Sequence, residues 1–214
     1  METIQLKNIL PNIFSNLSEV QSDVWQKEVS FDREGIYLIN APSGTGKSSL
    51  CSFICGFRND YGGRILFDET NIRQLSSKAW DACRQKELSI VFQDLRLFDE
   101  LTVLENIYIK NRLTNHKSKK EIYRLLDYFG IADKVESPTR LLSLGQKQRV
   151  AFIRSICQPY DFILLDEPIS HLDVENSEKI AQVILEESKS RGSGIIVTSL
   201  GHQLNLPYTS VHNL

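Results

Sequence analysis

The chain has 214 residues, 41% hydrophobic and 24% charged, the balance of a globular protein that buries one core, with room for an inserted lobe but not for two full domains. Its 25 Lys and Arg against 27 Asp and Glu leave a net charge of −2, which excludes disorder and the overall basic footprint of a nucleic-acid binder. Cys51, Cys55, Cys83 and Cys157 form neither a CxxC pair nor a dense disulfide framework, so a reducing, cytoplasmic compartment is expected.

The opening METIQLKNIL lacks the basic and apolar regions of a signal peptide, and no apolar run approaches the roughly 20 residues that cross a bilayer. Work at a membrane would need a partner that supplies the spanning helices. Strands are predicted at 3–7, 24–31, 36–40, 64–67, 88–92, 161–166, 194–199 and 209–213. The first two and 64–67 are expected to form an antiparallel edge on a mainly parallel sheet with crossover helices. Between 102 and 157 the apolar period becomes helical. Val103, Ile107 and Tyr108 share one face, as do Ile122, Leu125, Leu126 and Phe129, with Gly130 as a C-terminal cap. The expected organisation is a single domain over 1–214, a sheet lobe of 1–101 and 158–214 carrying a helical lobe of 102–157.

The stretch Asn40 to Ser48, NAPSGTGKS, follows the apolar run 36–39 and precedes a helical run over 49–57. Strand, glycine loop and helix stand in the order a phosphate loop requires. Gly44 and Gly46 let backbone N–H groups turn inward around a phosphate chain at a helix N-terminus. Ala41, Pro42, Ser43, Thr45 and Ser49 complete this nucleotide-binding stretch. Lys47 would reach the β- and γ-phosphates, and Ser48 offers a hydroxyl to Mg²⁺. Ala41 stands where the pattern G-x-x-x-x-G-K-S/T begins with glycine, a replacement that fits if the local φ is negative or only mildly strained.

The run Phe162 to Leu165 is apolar throughout, as in a central parallel strand, and ends in Asp166-Glu167-Pro168. Its charges fall at the carboxyl end, where ligands bind in open α/β sheets. Asp166 would hold Mg²⁺ through Ser48 or a water, and Glu167 would polarise an attacking water as general base. Pro168 keeps Glu167 out of the helical region.

The segment Leu142 to Arg149, LSLGQKQR, resembles the LSGGQ-x-QR signature of ATP-binding cassette (ABC) transporter ATPases, with Leu144 where that family prefers glycine. With the phosphate loop and the acidic strand end, the resemblance runs over nearly the whole chain. It implies an ABC-type P-loop NTPase fold that hydrolyses ATP with Mg²⁺. Ser143 would cap a helix whose start favours an anion, and the resemblance implies that Ser143, Leu144, Gly145 and Gln146 contact ATP held by a second subunit. The expected partners are therefore a second cassette, in a homodimer around two ATP molecules, and an integral membrane permease that holds the chain on the cytoplasmic face of the membrane; no nucleic-acid partner is expected.

The resemblance also implies that Gln93 contacts Mg²⁺ or the attacking water, that Asp173 faces the partner subunit, and that Phe14 stacks on adenine. Phe14 reads equally well as an edge-strand core residue. The family places a histidine where Ser199 follows the strand 195–198. Ser199 can hydrogen-bond a phosphate oxygen but carries no charge, and His202 lies three residues on. Segments 92–97 and 101–106 are most similar to the short ATPases of the cell-division, lipoprotein-releasing and macrolide-efflux group, which drive transenvelope mechanotransmission, and no appended regulatory domain is expected. An ATP-binding regulatory subunit with little turnover is the alternative. Cys51 and Cys55 are expected as buried small hydrophobes, 116–120 as a solvated loop, and Trp25 and Trp80 as packing residues.

Overall fold

The computed structural model describes residues 1–16 and 20–214. Nine strands form, β1 (Thr3–Pro11), β2 (Glu28–Asp32), β3 (Ile36–Asn40), β4 (Tyr61–Phe67), β5 (Thr70–Asn71), β6 (Leu88–Val91), β7 (Phe162–Asp166), β8 (Gly194–Ser199) and β9 (Ser210–Asn213), all among the described residues. The α-helices are α1 (Lys47–Ile54), α2 (Ser77–Lys86), α3 (Val103–Thr114), α4 (Lys119–Tyr128), α5 (Leu144–Ile156) and α6 (Val174–Arg191).

The antiparallel edge predicted from the first third is a sheet of its own, ordered β2-β1-β4-β5. Its central strand β1 runs past 7 through a bulge, where Asn8 takes φ 53° and the pairing with β4 shifts between Lys7 and Leu10. The predicted strand over 24–31 starts late, at Glu28. The Ser22 hydroxyl accepts the N–H groups of Val24 and Trp25 at 3.0 and 2.9 Å, and Gln26 turns at φ 59°, so these residues form a turn whose apolar side chains are buried.

The second sheet is wholly parallel, in the order β6-β7-β8-β3-β9. Four consecutive apolar residues of β7 are buried because alternate side chains enter different cores. Phe162 and Leu164 pack toward the antiparallel sheet and α1, with Ile4, Leu6, Phe31, Leu50 and Phe53. Ile163 and Leu165 face the other way, toward Val103, Ile107, Leu126, Phe152 and Ile184. Helices α3, α4 and α5 thus share a core with the central strands. Each begins with a reciprocal capping box, Thr102 with Glu105, Ser118 with Glu121, and Ser143 with Gln146, which fixes where each helix starts.

The strand order decides where the chemistry meets. β3 and β7 flank β8, with Asn40 opposite Ser199 and Asp166 opposite Thr198, so the ends of all three open on one edge.

Candidate active site

At the end of β3 the chain turns through Gly44 and Gly46 at φ 84° and 101°, both left-handed, into α1. A β-carbon on Gly46 would stand 2.9 Å from the Trp25 ring, so this glycine is required by space as well as by φ. Trp25 is one residue the sequence reading set aside: its indole N–H donates to the Thr45 carbonyl at 3.0 Å and supports the loop from beneath. Phe14 is not an edge-strand residue. It lies half-buried in a 3₁₀ turn after β1, edge-on to Trp25 and beside Gly46. Ala41 is buried, takes no positive φ and donates its N–H to the Ser199 carbonyl at 3.1 Å, so the loop tolerates the missing glycine.

Lys47, only 5% exposed, donates from Nζ to the carbonyls of Ala41 and Pro42 at 2.8 and 2.9 Å and lies 3.5 Å from Glu167 Oε1. The Ser48 hydroxyl donates to Gln93 Oε1 at 3.2 Å, and Gln93 Nε2 donates to Glu167 Oε2 at 3.3 Å. Lys47, Ser48, Gln93 and Glu167, four of the predicted site residues drawn from three separate segments, therefore form one continuous set of polar contacts. They line a cleft of about 230 Å³ together with Ser43, Gly44, Gly46 and Ser49.

Asp166 is buried beneath this cleft and accepts a hydrogen bond from Thr198 Oγ1 at 2.5 Å. Thr198 escaped the sequence reading because its role depends on β8 lying beside β7. Glu167 takes φ 48°, an unfavourable conformation for a residue with a β-carbon, and its N–H donates to the Thr198 carbonyl at 3.2 Å. Pro168 follows it, and Glu167 also departs from the extended region that a following proline normally favours.

The donor set fits Mg²⁺ bound with a nucleotide. Ser48 Oγ, Gln93 Oε1 and the Asp166 carboxylate are hard oxygen donors, few enough that phosphate oxygens and waters must complete an octahedral shell. Among the described residues no cluster of three or more His, Cys, Asp or Glu is arranged to hold a metal by itself. Burial pushes the Cys51 thiol well above its ordinary pKa and that of Cys55 up to about 12, as for inert packing residues.

The remaining predicted residues sit outside this cleft. Ser143 caps α5, its Oγ accepting the Gln146 N–H at 3.3 Å while Gln146 Oε1 accepts the Ser143 N–H at 2.9 Å. Leu144 projects from the first turn, 48% exposed, and Gly145 lies so close to His171 that a β-carbon would stand 2.9 Å from its carbonyl oxygen. Asp173 caps α6: the Asn176 backbone N–H at 2.8 Å, and then the Asn176 amide, hold its carboxyl below the usual range. The Ser199 hydroxyl is turned into its own loop, donating to the His202 carbonyl at 2.6 Å and accepting the Gly201 N–H at 3.2 Å. Both its donor and its acceptor bonds thus stay within the loop, and Ser199 is not among the residues that line the cleft. His202 is exposed and lines a separate groove with Ile169, Ser170 and Leu172.

The ABC transporter family profile matches residues 26–170, more than half of the chain. The phosphonates import ATP-binding protein PhnC of Fusobacterium nucleatum subsp. nucleatum is 34% identical, covering 92% of this chain and 82% of its own length. The lipoprotein-releasing system ATP-binding protein LolD of Buchnera aphidicola subsp. Schizaphis graminum is 28% identical, covering 92% and 86%. Among solved structures, the dimeric bacterial ABC transporter cassette MJ0796 superimposes with a TM-score of 0.76 at 25% identity, over 91% of this chain and 87% of that one.

Proposed function

Because the chain belongs to the ABC transporter ATP-binding family and is an ATP-hydrolysing cassette of that type, we propose that it closes with a second copy around two Mg-ATP molecules and so drives a membrane permease. The observation that carries this reading is the contact set from Ser48 through Gln93 and Glu167 to Lys47, which joins a cation, a general base and hard oxygen donors in one cleft. The N–H groups of residues 43–49 cradle the phosphates, Lys47 neutralises their charge, and Phe14 meets the adenine. Mg²⁺ would be held by Ser48, Gln93 and Asp166 and would supply neutralising charge to the phosphates.

Glu167 accepts a proton from the attacking water, with the Lys47 ammonium 3.5 Å from its carboxylate. The capped start of α5 offers the N–H groups of Leu144 and Gly145 to the terminal phosphate of the other subunit's ATP, flanked by Ser143 and Gln146, whose own N–H groups are taken by the capping box. Asp173 stands at the facing end of α6. Basal turnover is slow, because Ser199 brings no charge to the phosphoryl group and its hydroxyl is engaged in its own loop.

No helix among the described residues is long and apolar enough to cross a membrane, so the permease supplies the span and holds the chain on the cytoplasmic face. Within the family we favour the transenvelope mechanotransmission mode on the resemblance of segments 92–97 and 101–106. Relatives named for import and for lipoprotein release are both among the matches, so transport direction rests on that resemblance. Calorimetry with Mg-ATP tests the nucleotide site directly. Lys47→Ala should lose most of the affinity of the parent, and full affinity in that variant would overturn the phosphate-loop assignment.

A further inference from the structure

One buried amide joins the start of α5 to the general base, and none of the roles assigned above uses it. Gln148 lies on α5 one turn beyond Ser143 and is 1% exposed. Its Nε2 donates to the Glu167 carbonyl at 3.2 Å and stands 3.5 Å from Ser170 Oγ, while its Oε1 accepts the His171 N–H at 3.2 Å. A carboxamide supplies both a donor and an acceptor at this spot, which no apolar or charged side chain of the same length does.

These bonds close on the strained residue. The Glu167 N–H is taken by Thr198 and its carbonyl by Gln148, so the peptide groups on both sides of φ 48° are fixed, and the carboxylate is left pointing at Lys47 and Gln93. Without the Gln148 bond the carbonyl is free to rotate and the left-handed conformation loses one of its two supports. The same helix meets the same loop a second time, at Gly145 against the His171 carbonyl.

We propose that Gln148 is a positioning residue for hydrolysis, which holds Glu167 in its left-handed conformation and ties the base to the signature helix. This rests on Glu167 being the base, as proposed above. The test is a double-mutant cycle in steady-state and single-turnover ATP hydrolysis, with Gln148→Met, Glu167→Gln and the two combined. Gln148→Met should lower kcat about tenfold with KM and Mg-ATP affinity unchanged within about twofold, the pattern of an interaction that acts on the chemical step. In the Glu167→Gln background the same substitution should leave the residual rate unchanged.

An equal fall in both backgrounds, or a parental kcat in Gln148→Met, would overturn the inference and leave the base assignment standing. If Glu167→Gln by itself keeps the parental rate, the base assignment falls and the inference with it. Should Gln148→Met not fold, Gln148→Leu makes the same comparison, since its uncharged side chain also removes the donor to the Glu167 carbonyl without burying a charge.

Discussion

Replacing Thr198 by valine removes one oxygen at almost constant volume from a fully buried position. That oxygen donates to Asp166 Oδ1 at 2.5 Å and stands 3.3 Å from the Glu167 nitrogen, whose N–H also has the Thr198 carbonyl at 3.2 Å. The backbone bond survives the substitution, so the loss is concentrated on the carboxylate. A hydrogen bond to a charged group contributes about 1.5–3 kcal/mol, and Asp166, 3% exposed, has little water to replace it. Taking about 2 kcal/mol, and about 2–4 °C of melting temperature per kcal/mol for a chain of this size, Thr198→Val should melt about 4–8 °C below the parent. Urea unfolding followed by the fluorescence of Trp25 and Trp80 measures the difference directly, with an unchanged m-value if the transition stays two-state. A difference below about 0.5 kcal/mol would refute the claim that Thr198 anchors the acidic strand end.

Gly46→Ala adds a β-carbon 2.9 Å from Trp25 at φ 101°, and should cost about 2 kcal/mol of stability and most of the Mg-ATP affinity, read by the same melt and by calorimetry. Ser199→His should raise basal turnover in a phosphate-release assay by supplying the missing cation, while His202→Ala, in an exposed position outside the cleft, should leave it unchanged; the reverse result would make His202 the switch residue. Burial lowers the pKa of His116 to about 4, against about 6.5 for an unfolded imidazole, and its Nε2 has no partner among the described residues. Between those values the unfolded chain binds a proton that the folded chain does not, so stability should fall as the pH drops from about 6.5 toward 4. His116→Gln should flatten that slope in melts taken across the interval, and an identical slope in the variant would contradict the assignment.

The motifs were legible because each depends on local order. A strand, a glycine loop and a helix stand in sequence at 36–54, and an apolar run ends in Asp166-Glu167, so each can be read without knowing its neighbours. The capped starts of α3, α4 and α5 were open to the same reading, through Thr-x-x-Glu, Ser-x-x-Glu and Ser-x-x-Gln. What escaped depends on which strands lie side by side. Thr198 serves Asp166 because β8 separates β3 from β7, and Trp25 supports Thr45 across 20 residues of chain from a turn that an alternating apolar pattern passes for strand. The hydrogen bonds of Ser199 are a related case. Its position at the end of β8 suits a phosphate contact, but a serine followed two residues later by a glycine at φ 102° closes a hydrogen-bonded turn on itself.

The central claim, that Glu167 activates water in a cleft completed by a second cassette, is tested most directly by Glu167→Gln with Mg-ATP under size-exclusion chromatography with light scattering. The amide keeps the shape of the side chain and loses the base. ATP should therefore bind, persist unhydrolysed and hold two chains together, so that the variant runs as a dimer while the parent under turnover runs mainly as a monomer. A Glu167→Gln chain that stays monomeric with saturating Mg-ATP and releases phosphate at the parental rate would contradict the account.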